Sequence, residues 1–158
     1  MAAARCGSVG QHVGVGLEEN KALVRRYYNE VLTGRDRRLL AQLLDPSFVS
    51  HVSGGPVVGI EVYTAAVEAT HGAFADLVVT VEDQVAERDR VTTRWSASAT
   101  HTGSFAGVAA TGRPVTVTGM HFHRIGQGRI VKHWEELGQL GLLRQMGVLG
   151  YPHHPRTS

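Results

Sequence analysis

Apolar residues recur at helical spacing in the first half of the chain and at every second position in most of the second half. Residues 18–33 carry apolar side chains every three or four positions, which predicts an amphipathic helix. The same spacing predicts a short helix over residues 37–44, ended by an Asp-Pro pair, and a third helix over residues 59–74. The apolar sides of these helices need another layer of structure to cover them.

The segments with a period of two indicate β-strands, because side chains two apart on a strand share one face. The predicted strands are residues 48–53, 77–86, 90–102, 114–125 and 129–137, and a short closing helix follows at 138–146. This order predicts an α+β fold, in which a strongly curved antiparallel sheet wraps around three N-terminal helices as a cone with a deep cavity. We expect one domain over residues 17–149, between a flexible tail at 1–16 and a C-terminal tail at 150–158.

The last two strands surround Gln127-Gly128, a pair that fits a two-residue hairpin turn. In a regular hairpin about this turn, the facing pairs are Ile125–Ile130, His123–Lys132, His121–Trp134 and Gly119–Glu136. This register places four side chains together on the predicted cavity face: His121, His123, Trp134 and Glu136. A register shifted by one residue would instead bring out Phe122, His133 and Glu135.

Two imidazoles and a carboxylate in an apolar cavity suit acid–base chemistry on a small molecule. We expect Glu136 to be the base and His123, with His121 beside it, to donate a hydrogen bond to a substrate oxygen and return the proton. A structural alternative stays open, in which Glu136 pairs with an arginine at the strand end and the histidines only line the wall.

Five residues are candidates for contact with a substrate: Trp134, Trp95, His51, Tyr28 and His101. The two tryptophans offer flat apolar surfaces to a hydrophobic molecule. Each of the two histidines lies close to a glycine-containing turn, where we expect the mouth or the rim of the cavity. The tyrosine would point its phenol inwards from the first helix. Packing in the core, or a place in a loop, would explain the same residues without a substrate.

Charge and composition exclude several classes of partner. The formal net charge of the 158 residues is only +2, and no basic stripe is interleaved with aromatic residues, which argues against nucleic acid. No apolar run is long enough to cross a membrane, and the first residues lack the apolar core of a signal peptide. A single cysteine, Cys6, fits a reducing compartment, so we expect a cytoplasmic protein.

Several short segments also occur together in a recognisable order. They are the first helix with Tyr27-Tyr28, the segment 74–83, Arg94-Trp95, the segments 100–105 and 111–115, and the end from His133-Trp134 through 140–147. In this order they resemble the SnoaL-like polyketide cyclases, or ester cyclases, of the NTF2-like superfamily. The resemblance covers about residues 18–147.

The resemblance implies an NTF2-like cone, a homodimer that pairs through the outer face of the sheet, and an enzyme without metal or organic cofactor. The best-known members of this family close the last ring of an aromatic polyketide by an intramolecular aldol reaction, with an acidic residue of the last strand as acid and base. In such members an aspartate commonly follows the tryptophan of the last strand by four residues. Here that position is Gly138, which cannot move a proton, so Glu136 would have to replace the aspartate.

A metal site is a further possibility, because His121, His123 and Glu136 would form a set of two histidines and one carboxylate suited to non-haem iron. A His-X-His pair is a weak signal alone and the resemblance argues against it, so we expect no metal and no cofactor. We expect a cofactor-independent enzyme of polyketide or other secondary metabolism, including antibiotic biosynthesis, that cyclises or isomerises a hydrophobic polycyclic carbonyl compound. A hydroxylase acting on an aromatic polyketide and a non-catalytic small-molecule-binding protein remain as alternatives.

Overall fold

A computed structural model describes residues 12–150 of the chain. The remaining residues, 1–11 with Cys6 and 151–158, lie outside the described part, and with them most of both predicted tails. Within residues 12–150, the elements are α1 (His12–Arg26), α2 (Leu40–Leu43), β1 (Leu44–Val52), β2 (Gly55–Val58), α3 (Ile60–Ala73), β3 (Val78–Glu87), β4 (Arg90–Thr100), β5 (Pro114–Gly126), β6 (Arg129–Leu137) and α4 (Gln139–Gln145).

The first helix changes its pitch where it meets the sheet. It begins at His12, earlier than predicted, and continues beyond α1 as a π-helical segment, Tyr27–Thr33. Two consecutive tyrosines, Tyr27 and Tyr28, are both buried in this segment, with 2% and 0% of their surface exposed. π-Helical turns are rare and frequently mark functional sites. In this π-helical segment the side chains of two consecutive tyrosines therefore both lie inside the molecule.

The six strands form one curved sheet in the order β2-β1-β6-β5-β4-β3. Strand β1 runs parallel to β6, and the other neighbours are antiparallel. This arrangement confirms the predicted α+β cone. The short strand β2 is not among the predicted strands, because Gly55 and Pro56 favour a turn. It is the edge strand of the sheet, where the missing N–H of a proline breaks no ladder.

The hairpin of β5 and β6 has the predicted turn but not the predicted register. Gln127 and Gly128 adopt positive φ angles of 50° and 72°, and Ile125 faces Ile130 as expected. A β-bulge follows directly, because Arg124 faces Lys132 and one residue of β6, Val131, is left over. From there outwards the facing pairs are His123–His133, Phe122–Trp134, His121–Glu135, Met120–Glu136 and Gly119–Leu137.

The core lies between the helices and the concave face of the sheet. Its largest fully buried side chains include the two tyrosines of the π-helical segment, Phe48 and several leucines. A smaller cluster closes one end of the cone, where Leu142 and Met146 from the α4 region pack against Phe74 and Val115. No helix among residues 12–150 is long and apolar enough to span a lipid bilayer.

Candidate active site

A cavity of about 410 Å³ opens between α3, the π-helical segment and the concave face of the sheet. Small-molecule sites in proteins commonly measure about 300–1,000 Å³ and are mostly apolar. Most of the lining side chains here are apolar, and the groups with acid–base or hydrogen-bonding capacity include Tyr27, Tyr63, Trp95, His121 and Glu135. The cavity therefore has the size and character of a site for a hydrophobic molecule that carries a few polar groups.

A chain of hydrogen bonds runs from the helix layer to a carboxylate in the cavity wall. His121 Nε2 lies 3.1 Å from Glu135 Oε2, and His121 Nδ1 lies 2.7 Å from the Tyr28 hydroxyl. A carboxylate only accepts, so Nε2 carries the proton and donates it, and Nδ1 accepts from the phenol. Burial raises the pKa of Tyr28 far above its ordinary value, which keeps this phenol protonated as the donor. The chain fixes the orientation of Glu135.

A second polar group in the wall is a pair of phenols. The hydroxyls of Tyr27 and Tyr63 form a short hydrogen bond between the π-helical segment and α3. Burial raises the pKa of both tyrosines, so both are neutral at physiological pH. One hydroxyl donates to the other, and the second proton of the pair remains for the oxygen atom of a bound molecule.

Three histidines lie together beneath the cavity floor. The ring centroids of His121, His123 and His133 are 5.0–5.6 Å apart. Burial lowers the pKa of His123 and His133 well below the ordinary value, so both rings are neutral. His133 Nε2 lies 2.7 Å from the Ser50 hydroxyl. The ring of His123 has one hydrogen-bonding contact within residues 12–150, a poorly aligned one with the Val91 backbone.

The bulge at Val131 corrects the prediction for Glu136 and Trp134. Glu136 is exposed on the outer face of the sheet and not in the cavity, so it cannot be the predicted base. Trp134 is 39% exposed on the same outer face, where His51 stacks on it at 5.0 Å. The predictions that Trp134 and His51 contact a substrate in the cavity are therefore wrong. The extra residue turned every side chain of β6 beyond it to the opposite face.

The other predicted residues lie inside. His121 and Trp95 line the cavity, Tyr28 is buried beside His121, and His123 is buried behind it. His101 is fully buried at the closed end, where its Nδ1 bonds the Thr111 hydroxyl at 3.1 Å, and it does not line the cavity. The catalytic and substrate-binding roles of these residues stay predictions.

Four residues that the structure brings together were not among the candidates predicted from the sequence: Tyr27, Tyr63, His133 and Glu135. The helical stripe of the first helix already contained Tyr27, and that of the third contained Tyr63. The shifted register named His133 and Glu135 as its alternative. The sequence therefore contained a signal for all four residues. Which face of β6 lines the cavity depends, however, on the number of residues between the turn and the site.

Comparison with known proteins places the fold in a defined group. The family profile of the SnoaL-like polyketide cyclases matches residues 22–146. AclR from Streptomyces galilaeus, a proposed hydroxylase, is 29% identical with a TM-score of 0.77, over 85% of this chain and 99% of its own. IdmH from Streptomyces antibioticus, a proposed polyketide cyclase, is 31% identical with a TM-score of 0.70, over 82% and 99%.

A third structure extends the likeness in fold. A SnoaL-like protein from Jannaschia sp. CCS1 has a TM-score of 0.80 at 22% identity, and the match covers 91% of this chain and 100% of that protein. No curated protein matches this sequence significantly.

Proposed function

We propose that this chain, which belongs to the SnoaL-like polyketide cyclase family, catalyses an acid–base reaction without a cofactor. In this reaction Glu135 and His121 act on a hydrophobic polycyclic carbonyl compound of polyketide type. The reaction is an aldol cyclisation or a related isomerisation. The proposed setting is the cytoplasm, on the sequence argument from a single cysteine.

The position of Glu135 carries this proposal. Its carboxylate stands in the wall of an otherwise apolar cavity, with one oxygen held by His121 Nε2–H and its side chain 23% exposed. The second oxygen has no such holder among the described hydrogen bonds and is left for a substrate. A carboxylate of this kind, next to a carbonyl compound, is suited to remove a proton from the carbon α to the carbonyl.

The groups around Glu135 supply the remaining steps of the proposed reaction. The free proton of the Tyr27–Tyr63 pair binds the substrate carbonyl oxygen and stabilises the negative charge that develops on it when Glu135 takes the α-proton. The enolate carbon then attacks a second carbonyl of the same molecule, and a new C–C bond and an alkoxide form. The protonated Glu135 returns its proton to that alkoxide. His121, fixed by Tyr28, keeps Glu135 in place throughout.

The test is α-proton exchange of 2-tetralone, a bicyclic ketone, in D₂O, followed by NMR. The wild-type protein should accelerate exchange, and Glu135→Gln should lower the protein-dependent rate by about 10²-fold or more, as expected for the loss of a general base. Glu136→Gln is the matched control, because it makes the same change one residue away on the outer face. Unchanged exchange in Glu135→Gln, or a loss in Glu136→Gln, would remove the assignment.

Hydroxylation is a second candidate, supported by the likeness to AclR, a proposed hydroxylase at 29% identity. The enolate formed by Glu135 could react with dioxygen instead of with a second carbonyl, which after protonation gives a hydroperoxide at the α-carbon. An added two-electron reductant, such as a thiol, would then convert the hydroperoxide into the alcohol and water. Oxygen uptake with the same ketone, measured with an oxygen electrode, distinguishes the two reactions. A purely binding role would be favoured if the cavity had no carboxylate, since Glu136 lies outside it. Glu135, however, places a carboxylate in the cavity wall.

We also propose a homodimer that pairs through the outer face of β5 and β6. Three apolar side chains are exposed side by side there, namely Met120 (50%), Phe122 (38%) and Trp134 (39%). Contiguous apolar surface on a folded protein commonly marks an interface. Light scattering should give the mass of two chains, and Phe122→Lys should give one chain. A wild-type monomer at micromolar concentration would contradict the proposal.

A further inference from the structure

We propose that His121, His123 and His133 form a binding site for a divalent transition-metal ion of the zinc type at the floor of the cavity. The inference does not depend on the reaction proposed above, which needs no metal. It concerns a group of three imidazoles whose coordinating atoms all lie within 4.8 Å of one another. Neutral imidazole is the commonest metal-binding side chain in proteins.

The spacing of the rings matches a tetrahedral site. A Zn–N bond of about 2.1 Å puts an imidazole centroid about 3.2 Å from the metal, so two such rings at the tetrahedral angle have centroids about 5.2 Å apart. The three observed separations are 5.5 Å for His121–His123, 5.0 Å for His121–His133 and 5.6 Å for His123–His133. The coordinating nitrogens lie within 4.8 Å of one another, so the rings would have to rotate about their side-chain bonds to bring them to a common point.

Two neighbouring strands of the sheet hold these rings. His123 and His133 face each other directly across β5 and β6, and His121 follows two residues along the same face. In the regular hairpin register, Lys132 would face His123 and its ammonium group would repel a cation. The bulge at Val131 replaces that lysine with a histidine. Bulges are over-represented next to functional sites, where they redirect a side chain.

The described hydrogen bonds use only Nε2 of His133 but both nitrogens of His121. Glu135 holds His121 through Nε2, and Ser50 holds His133 through Nε2, so each can offer Nδ1. Metal-binding histidines are commonly oriented in this way by a carboxylate or another polar group on the opposite nitrogen. The Tyr28 hydroxyl would leave His121 Nδ1 and be the one hydrogen bond lost.

The central histidine gives an independent indication of a ligand. His123 is 0% exposed, and the one hydrogen-bonding contact of its ring within residues 12–150 is a poorly aligned one with the Val91 backbone, so at least one ring nitrogen has no partner there. An unsatisfied polar group in the interior costs free energy, so such groups are rare unless something binds them. A metal ion on one of these nitrogens removes part of that cost. Three histidine ligands leave a fourth position open towards the cavity, as in zinc sites that bind water or a substrate.

The experiment measures metal binding directly. Protein freed of metal with EDTA and dialysed is titrated with Zn²⁺ by calorimetry and with Co²⁺ by visible absorption. We expect one ion per chain and the intense d–d bands of four-coordinate cobalt. His123→Leu should lower the affinity by about 100-fold or more, since loss of a ligand costs at least as much as loss of its outer partner. His51→Gln, a histidine outside the cluster, should bind like the wild type.

A second variant guards against misfolding. Ser50→Ala removes the partner that orients His133 but no ligand, and it should lower the affinity by about 10–100-fold. No 1:1 binding by the wild type, or the same affinity in His123→Leu as in the wild type, would overturn the proposal. Proton exchange measured in EDTA tests the proposed function separately, so that either proposal can fail without the other.

Discussion

Gly119 allows the indole of Trp95 to lie close against strand β5, and Gly119→Ala tests this contact. A Cβ at residue 119 would lie 2.8 Å from Trp95 Cε2 and 2.7 Å from the backbone oxygen of Glu136. Both distances are much shorter than van der Waals contact, and the oxygen belongs to the neighbouring strand and cannot move cheaply. Overpacking of this kind costs about 1–3 kcal/mol. For a chain of 158 residues this corresponds to a fall in Tm of about 2–12 °C.

Gly72→Ala is the matched control for this change. A Cβ there meets no atom within 4 Å among residues 12–150, and residue 72 lies in helix α3. Alanine should therefore stabilise the protein by up to about 1 kcal/mol. Urea unfolding followed by circular dichroism measures both variants. The same substitution should change stability in opposite directions, and a Gly119→Ala variant as stable as the wild type would refute the close contact of Trp95 with β5.

Three further changes test the phenol pair, the closing helix and one surface carboxylate. Tyr63→Phe leaves the buried Tyr27 hydroxyl without its partner, so unfolding by urea should show a loss of about 1–3 kcal/mol, and ketone exchange should slow by about 10²-fold or more. Leu142→Ala should lower the free energy of unfolding by about 2–5 kcal/mol, because this leucine is only 5% exposed; an unchanged urea midpoint would contradict the packing of α4. Hydrogen bonds from Thr100 lower the pKa of Asp76 below its ordinary value of 3.8, so its stabilising contribution is present above that value and is lost as the pH falls through the lowered pKa. Urea midpoints between neutral and acidic pH should therefore fall less steeply in Asp76→Asn than in the wild type, and equal slopes would contradict this linkage.

The periodicity of the sequence was sufficient for the fold. The predicted third helix, 59–74, agrees closely with α3 (Ile60–Ala73), and the change from helical spacing to alternation marks the start of the meander. These segments are long, and each has a single period that tertiary contacts reinforce. The edge strand β2 was missed, because a strand of four residues that contains Gly55 and Pro56 carries almost no periodic signal.

The candidate site was only half predictable. The inward direction of His121 and His123 on β5 was predicted and is confirmed by their burial, at 3% and 0% exposure. The direction of β6 was wrong, because one extra residue after the turn exchanges the two faces of a strand. The bulge is accommodated by a local contact that the pattern does not reveal. Gly126 lacks a side chain, and a Cβ there would lie 3.1 Å from Val131 Cγ1, so the glycine makes room for the residue left over.

The central claim is that Glu135 faces the cavity and Glu136 faces outwards, and a pair of single cysteines tests it most directly. Glu135→Cys and Glu136→Cys are each made in a Cys6→Ser background, and their reaction with 5,5′-dithiobis(2-nitrobenzoic acid) is followed with and without saturating 2-tetralone. The thiol at 135 should react about tenfold or more slowly than that at 136, since thiol reactivity depends on exposure, and the ketone should slow it further. The thiol at 136 should react rapidly whether or not the ketone is present. Equal rates, or protection by the ketone at 136 and not at 135, would contradict the account.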